Sequence, residues 1–276
     1  MHDLVLKNCN VVNENVVSEV DIGINNERIE KIAANISSEA RNEIDLQGKL
    51  LIPGLIDDQV HFREPGLTHK GEIATESKAA IAGGVTSYFE MPNVNPNTST
   101  IENLEKKFDI AANKSYANYS FYLGATNDNI EEIKKSDPNA SCGLKVFMGA
   151  STGDLLVDKY ESLEKIFEHC PTNIVTHCED PKRLVENENI FQEKYGDQLH
   201  AAHHAVIRDE ECCYLSSSLA VGLAKRFGAN LHVLHLSTKR EMDLFEPGPI
   251  DNKKITAEGC VHLSLIHISE PTRLDG

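Results

Sequence analysis

An amide, an imidazole and a guanidinium alternate along one predicted strand, at Gln59, His61 and Arg63. Residues two apart on a strand point to the same side, so these three side chains can address one pocket. At the carboxyl end of a barrel strand, such a pocket is where catalytic groups gather. A lone histidine on a strand is more often structural than a ligand, and the neighbouring sequence therefore decides what His61 does.

The first 50 residues, which precede this strand, predict a small sheet. Apolar residues cluster or alternate at 4–6, 20–24 and 28–32, between asparagine-rich turns. Asn25-Asn26 is a turn signal of the kind that joins hairpin strands. We therefore expect a small antiparallel unit here rather than a βαβ unit.

From residue 50 onward, apolar strands alternate with helical stretches. After the opening strand, strands are predicted at 85–90, 119–123, 143–147, 173–177, 231–236 and 254–257. Helices are predicted at 71–81, 101–113, 130–133, 156–169, 180–195, 205–227 and 239–245. Repeated β-then-α units favour a parallel sheet, either a (β/α)8 barrel or a doubly wound sheet. With about seven strands, an eight-stranded barrel would lack its end.

Charge and composition favour an enzyme that acts on a small molecule. The 276 residues carry a formal net charge of −16, from 43 acidic and 27 basic side chains, and such a surface repels nucleic acid and anionic lipid. No signal peptide is recognisable, and no apolar run approaches the ~18 residues that span a bilayer. The 7 scattered cysteines contain no CxxC pair. We expect reduced thiols in a cytoplasmic protein with neither nucleic-acid nor membrane partners.

The string at 53–66 resembles the motif Pro-Gly-x-Ile-Asp-x-His-x-His, with which proteins of the amidohydrolase superfamily open their barrel. Dihydroorotases, a family of cyclic amidohydrolases, extend that motif with Phe-Arg-Glu-Pro-Gly, which stands here at 62–66. Further matches follow in order at 90–93, 143–148, 176–180 and 232–238. The resemblance covers essentially all of residues 1–262, and ordered motifs on separate strands make a chance match implausible.

The resemblance implies an α/β fold, a (β/α)8 TIM-like barrel joined to a small β-sandwich that uses both chain ends. Residues 1–50 would be a partial β-sandwich and residues 51–262 an incomplete metal-dependent hydrolase barrel. Residues 263–273 resemble a translated adapter used to prepare DNA sequencing libraries, so we interpret 263–276 as an artefact. Relatives commonly form dimers or tetramers, and a homo-oligomer is expected of the complete protein.

The resemblance also implies a zinc site. His61 matches the second histidine of the opening motif, a ligand of the more buried metal. His177 and His235 match the two histidines that bind the second metal. Neutral imidazole at a strand end suits Zn2+.

Lys145 matches the lysine that reacts with carbon dioxide in hydantoinases, allantoinases and some dihydroorotases. An ammonium cannot bind a cation, whereas the resulting carbamate presents two anionic oxygens that can bridge two metals. The simpler alternative is a surface or salt-bridged lysine. Because Lys145 lies between Leu144 and Val146 on a strand, where an unpaired ammonium would be costly, we favour the carboxylated form.

The chain departs from the family pattern at Gln59, which replaces the first histidine of the opening motif. An amide oxygen is a poor zinc ligand beside imidazole, and Gln59 is therefore a doubtful one. Two alternatives stay open. One is a binuclear centre, and the other is a single zinc held by Lys145, His177 and His235 with His61 nearby.

A second departure concerns the catalytic aspartate, which the superfamily places after the last barrel strand. No aspartate lies between Asp251 and Leu263. We therefore expect that no catalytic residue is present, that the aspartate was lost by truncation, and that this fragment is inactive as it stands. His203, His204 and His262 receive no role.

Arg63 and Asn93 match the residues that hold the substrate carboxylate in dihydroorotases. A guanidinium can grip a carboxylate with two parallel charge-assisted bonds. Dihydroorotate carries such a carboxylate, and hydantoins and allantoin do not. The plain alternative is that Arg63 forms a structural ion pair with Glu64 or Asp58.

Together these matches favour a dihydroorotase, which reversibly hydrolyses (S)-dihydroorotate to N-carbamoyl-L-aspartate in de novo pyrimidine biosynthesis with the help of zinc. One alternative is a hydantoinase, dihydropyrimidinase or allantoinase, which Lys145 fits equally well and Arg63 fits poorly. The other is a non-catalytic scaffold on the same fold, since such relatives lose metal ligands, as at Gln59.

Overall fold

A computed structural model describes residues 1–149 and 153–259. The chain divides into two compact units, Met1–Leu55 and the part that begins at Ile56. His262 and the proposed artefact at 263–276 lie outside the described residues.

The first unit is a five-stranded sheet. Its strands are β1 (His2–Asn13), β2 (Val16–Asn25), β3 (Arg28–Ala33), β4 (Ala40–Asp45) and β5 (Leu50–Leu51). The order is β3-β2-β1-β4, and β5 also pairs with β1. The β1–β2 and β2–β3 pairs are antiparallel as expected, but β4 and β5 run parallel to β1. The expectation of a wholly antiparallel unit was wrong because residues 34–39 carry the chain back to the start of β1, whose second edge is free.

Left-handed residues form the predicted turn between β2 and β3. Asn26 and Glu27 have φ angles of 48° and 61°, as a two-residue hairpin loop of type I′ requires. The buried carboxylate of Asp21 accepts hydrogen bonds of 2.9 Å from the backbone N–H groups of Asn8 and Ile36. The bond from Ile36 holds residues 34–39, the segment that connects β3 to β4, against the sheet.

The second unit alternates strands and helices. The strands are β6 (Leu55–Val60), β7 (Val85–Glu90), β8 (Asn118–Gly124), β9 (Gly143–Phe147), β10 (Ile174–His177), β11 (Leu231–Val233) and β12 (Ile255–Ala257). The helices are α1 (Ile73–Ala82), α2 (Ile101–Ala112), α3 (Ile130–Ile133), α4 (Tyr160–His169), α5 (Pro181–Tyr195), α6 (His204–Ile207) and α7 (Glu210–Phe227).

The strands of the second unit lie side by side in chain order, from β6 to β12. The neighbouring strands from β7 to β12 pair in parallel. A doubly wound sheet reverses its strand order at a switch point, and no reversal occurs among the described strands. The topology is therefore that of consecutive β/α barrel units, one of the two predicted architectures.

Helices α4 and α7 cover one face of strands β9 to β11. Their apolar residues, among them Leu163, Phe167 and Val221, pack with Leu144 and Ile174 in one buried cluster. This packing leaves the opposite face and the carboxyl ends of the strands to carry polar side chains.

Two helix predictions were wrong in detail. The stretch predicted as one helix at 205–227 contains α6 and α7, separated because Asp209 caps α7 by accepting a hydrogen bond of 2.9 Å from Cys212 N–H. The helix predicted at 239–245 is a 3-10 turn, Arg240–Leu244. Its buried Glu241 accepts hydrogen bonds from the hydroxyls of Ser217 and Thr238. None of the helices described has the length and apolarity needed to cross a membrane.

Candidate metal centre and substrate pocket

The predicted ligands lie at or near the carboxyl ends of four strands. His61 follows β6, Lys145 lies within β9, His177 ends β10, and His235 follows β11. Because β9, β10 and β11 are adjacent and parallel, the side chains at their carboxyl ends converge. Lys145 is close enough to lower the pKa of both His61 and His235, which places all three groups in one neighbourhood.

The two strand-end histidines are in direct contact. His177 Nδ1 lies 3.1 Å from His235 Nε2, and the rings meet edge to face with centroids 4.9 Å apart. Burial, with help from the neighbouring His177 and Lys145, lowers the pKa of His235 to about 3. The imidazole of His235 is therefore neutral near pH 7, which is the form that binds a metal.

The backbone at His235 is strained. Its φ of 39° lies in the left-handed region, which costs a residue with a side chain roughly 1–3 kcal/mol. Ser237 donates a hydrogen bond of 3.0 Å from its hydroxyl to the carbonyl of His235. This unusual turn directs the ring toward His177.

A carboxylate and a guanidinium lie behind His177. His177 Nε2 donates to Glu179 Oε2 at 2.7 Å, and Arg208 Nη1 lies 2.8 and 3.1 Å from the two oxygens of the same carboxylate. Burial alone would raise the pKa of Glu179. The hydrogen bond from His177 and the nearby guanidinium of Arg208 outweigh burial and lower that pKa below its ordinary value.

Sequence reasoning assigned no role to Glu179 or Arg208. The spacing of His177 and Glu179, two residues apart at a strand end, was an available signal for the carboxylate. Arg208 is distant in sequence and offered none.

Lys145 is a buried lysine, only 1% exposed. Its Nζ lies 4.7 Å from the centroid of the Phe147 ring, and no hydrogen bond or ion pair reaches it from the described residues. Burial lowers the pKa of Lys145 to about 7, against the opposing influence of Cys178 and Glu258. A surface lysine is thereby excluded, and a substantial fraction of the side chain is a neutral, nucleophilic amine near pH 7.

Gln59 also presents an unsatisfied group. Its Oε1 is buried and has no hydrogen-bond partner among the residues that the structure describes. A buried carbonyl oxygen without a donor is costly, and a cation would relieve that cost.

His61 contacts the predicted substrate-binding pair. Its Nδ1 donates to Asn93 Oδ1 at 2.9 Å, which leaves the lone pair on Nε2. The ring is partly open to solvent, yet surrounding protein atoms and the nearby Arg63 lower the pKa of His61 to about 4. Arg63 Nη1 donates to the backbone carbonyl of Asn93 at 3.2 Å. The structure thus brings His61, Arg63 and Asn93 together.

No ion pair of Arg63 with a carboxylate occurs within the described ranges. Glu64, the suggested structural partner, instead pairs with Lys114 and accepts a hydrogen bond of 2.9 Å from Ile73 N–H. Arg63 has a left-handed backbone with φ of 67°, and its N–H donates to Glu90 Oε1 at 3.0 Å. The guanidinium is therefore held in place while its charge stays free for a ligand.

A fully buried ion pair supports this loop. Lys107 Nζ lies 3.0 Å from Glu90 Oε2 and donates to the carbonyl of Met91 at 3.0 Å. Nearby, Gly66 has φ of 78°, and a Cβ at this position would lie 2.0 Å from the carbonyl oxygen of Asn95. Only glycine allows the two loops that carry Arg63 and Asn93 to approach this closely.

A second polar cluster was not predicted from the sequence. His232 Nε2 lies 3.8 Å from Asp58 Oδ2 and 3.7 Å from Glu258 Oε2, and it is buried without a hydrogen-bond partner among described atoms. Thr256 Oγ1 lies 2.8 Å from the other ring nitrogen. Burial and the adjacent Glu258 raise the pKa of Asp58 to about 6. The three groups could hold a metal ion.

The family model described as Dihydro-orotase-like matches residues 48–241, which is most of the chain and includes His61, Lys145, His177 and His235. The chain belongs to the Dihydro-orotase-like family.

Relatives of this Dihydro-orotase-like chain carry more than one name. An allantoinase of Streptomyces avermitilis is 33% identical over 234 residues, covering 83% of this chain and 51% of its own length. A dihydroorotase of Methanosphaera stadtmanae is 30% identical over 269 residues, covering 95% and 59%. The solved L-hydantoinase (dihydropyrimidinase) of Arthrobacter aurescens is 26% identical with a TM-score of 0.87, covering 94% and 58%. The chain therefore spans a little over half the length of the relatives it matches.

Proposed function

We propose that the protein is a zinc-dependent cyclic amidohydrolase, and that it acts on dihydroorotate. The proposal is supported by membership of the Dihydro-orotase-like family and by relatives named allantoinase, dihydroorotase and hydantoinase. Reversible opening of the ring would give N-carbamoyl-L-aspartate, a step of pyrimidine biosynthesis. The observation that carries the choice of substrate is the anchored guanidinium of Arg63, which has no carboxylate partner among described residues.

The residues at the strand ends fit a zinc ion. Two nitrogens on a tetrahedral zinc, each about 2.0–2.1 Å from the metal, lie about 3.3 Å apart. His177 Nδ1 and His235 Nε2 are already 3.1 Å apart, so a small shift would accommodate the ion. When bound, zinc would lower the pKa of a water molecule and polarise the ring carbonyl.

Lys145 would complete this donor set as a carbamate. Its neutral amine can attack carbon dioxide, and the product carries the negative charge that a cation site needs. The absence of a described counter-ion for its ammonium supports this assignment, since an unpaired buried ammonium is costly. His61 Nε2 and Gln59 Oε1 would offer ligands to a second ion, of which the amide is the weaker.

The substrate would be oriented by Arg63 and Asn93. Arg63 retains donors beyond the one that binds the Asn93 carbonyl, and these can pair with the carboxylate of dihydroorotate. Asn93 donates nothing to His61 and keeps its side-chain N–H groups for the ligand. Two fixed donors on one side of the ring would hold its amide toward the metal ligands.

A general base is also required, and we propose for it an aspartate in the position that the amidohydrolase superfamily places after its last barrel strand. It would take the proton of the attacking water and pass it to the leaving ring nitrogen. Homo-oligomerisation and a cytoplasmic location remain predictions.

A hydantoinase or allantoinase is the second candidate, favoured by the 33% identity to an allantoinase. The full-length gene product should be assayed with dihydroorotate, hydantoin and allantoin side by side. We expect ring opening of dihydroorotate, and turnover of hydantoin or allantoin alone would overturn the carboxylate clamp. Zinc analysis tests the scaffold alternative, since a zinc content near zero in protein purified without chelator would favour it.

A further inference from the structure

We infer that Glu179 and Arg208 are positioning residues that make His177 bind metal through Nδ1. The inference rests on the proposed zinc site and assigns a function to two side chains outside its ligand set. The two ring nitrogens of His177 have different partners. Nδ1 faces His235 Nε2 at 3.1 Å, and Nε2 faces Glu179 Oε2 at 2.7 Å.

The carboxylate decides which nitrogen carries the proton. An ionised carboxylate only accepts hydrogen bonds, so His177 must donate from Nε2 to Glu179. The lone pair of neutral His177 is then on Nδ1, on the side of His235. A hydrogen-bonded carboxylate behind a ligating histidine both orients the ring and strengthens it as a donor.

Arg208 keeps Glu179 in place. Its Nη1 is 2.8 and 3.1 Å from the two carboxylate oxygens, and Glu179 is only 6% exposed. The backbone is confined as well, because a Cβ at Gly149 would lie 2.3 Å from the carbonyl oxygen of Glu179. The carboxylate therefore has little freedom to turn away from His177.

The opposite tautomer of His177 would leave no free nitrogen lone pair for a metal ion between His177 and His235. With its proton on Nδ1, His177 would donate to His235 Nε2, and the 3.1 Å contact would become a hydrogen bond that occupies both metal-facing nitrogens. The charge-assisted bond to Glu179 favours the open arrangement over this one. Glu179 thus prevents His177 from donating a hydrogen bond to His235.

The test compares Glu179→Gln with Glu186→Gln, the same change at an exposed position of α5. A double variant, Glu179→Gln with Arg208→Gln, avoids leaving an unpaired guanidinium if the single variant folds poorly. In metal-free full-length protein, 15N NMR of the histidine rings reports the tautomer of His177. Competition with a chelator then reports the zinc affinity of the same samples.

The unchanged protein and Glu186→Gln should show the Nε2–H tautomer. Glu179→Gln and the double variant should shift His177 toward Nδ1–H and weaken zinc binding about 10–100-fold. An unaltered tautomer and affinity in both Glu179 variants would overturn the inference. If the unchanged protein binds no zinc, the proposed function fails, while the tautomer measurement still decides the role of Glu179.

Discussion

Arg63 donates a hydrogen bond from Nη1 to the backbone carbonyl of Asn93, 3.2 Å away. The side chain of Asn93 in turn accepts a hydrogen bond from His61. One loop residue therefore links the proposed carboxylate clamp to the proposed metal centre. The guanidinium of Arg63 is anchored by a neutral carbonyl and pairs with no carboxylate among the described residues, so its positive charge is available to a ligand.

Replacing Arg63 should affect one substrate selectively. In Arg63→Gln, we expect kcat/KM for dihydroorotate to fall about 100-fold or more, because hydrogen bonds between charged groups contribute roughly 1.5–3 kcal/mol each. Arg226→Gln, at an exposed arginine that pairs with Glu164, is the matched control and should change little. Steady-state kinetics with dihydroorotate and hydantoin check this. Equal losses on both substrates would show that Arg63 does not read the carboxylate.

Lys145 should take up carbon dioxide. Metal-free protein incubated with 13C-labelled carbon dioxide should show one carbamate signal in 13C NMR that is absent from Lys145→Met. Lys165→Met, at an exposed lysine of α4, should keep the signal. A signal that survives in Lys145→Met would assign the carbamate elsewhere.

The uptake should depend on pH in a definite direction. The pKa of Lys145 is lowered to about 7, so the neutral amine that reacts becomes the major form as pH rises through that value. At a fixed pressure of carbon dioxide, the rate of carbamate formation should therefore rise between about pH 6 and pH 8 and then level off. An ordinary lysine would show continued growth toward pH 10, which is the contrary result.

Removing one partner of the buried ion pair beneath the Arg63 loop should destabilise the protein more than replacing both partners. Lys107→Met leaves the Glu90 carboxylate buried and unpaired, which should lower the free energy of unfolding by about 3–5 kcal/mol. The double change Glu90→Gln with Lys107→Met should cost less. Lys106→Met, which breaks an exposed pair with Glu102, should leave the free energy of unfolding nearly unchanged, because solvent screens such pairs. Urea unfolding monitored by circular dichroism measures all three variants.

Alanine substitutions at Gly66 and Gly84 allow the effect of a steric clash to be measured apart from the effect of backbone strain. Gly66 and Gly84 both have positive φ angles, but only Gly66 has a neighbour in the way of a Cβ, the carbonyl of Asn95 at 2.0 Å. Gly84→Ala should cost about 1 kcal/mol of stability and leave KM for dihydroorotate unchanged. Gly66→Ala should cost more and raise KM, because it forces apart the loops that carry Arg63 and Asn93. Similar KM values in the two variants would contradict this account.

An imidazole at position 59 should strengthen the first metal site. Gln59→His replaces a weak amide donor beside His61, so we expect about one additional tightly held zinc per chain by metal analysis. Gln47→His, in the other compact unit, serves as the control and should leave the zinc content unchanged. No gain in Gln59→His would place Gln59 outside the metal centre.

Much of the second unit could be predicted because strand residues alternate in direction and parallel strands share one carboxyl edge. The two rules place His177 beside His235 at the ends of neighbouring strands. They required no knowledge of how the helices pack. The pairing of Arg63 with Asn93, which lie beyond β6 and β7, was instead implied by the resemblance to dihydroorotases.

Other features depend on contacts between distant segments. Arg208 reaches Glu179 because the helical segment is interrupted between α6 and α7. The hydrophobic periodicity of the sequence did not indicate this interruption. The cluster of Asp58, His232 and Glu258 combines three strand regions that are far apart in the chain. In the first unit, the parallel pairing of β4 with β1 depends on which sheet edge is free, and hydrophobic patterns do not record that.

The side-by-side order of β6 to β12 has a consequence for folding while the chain is being synthesised on the ribosome. Each new strand leaving the ribosome finds its partner in the strand made just before it, so the sheet can grow vectorially without waiting for distant segments. The proposed metal ligands emerge along the same path, and His235 is the last of them. A nascent chain therefore cannot assemble the His177–His235 pair until most of its sheet has been synthesised, and metal capture would follow the growth of the sheet rather than guide it.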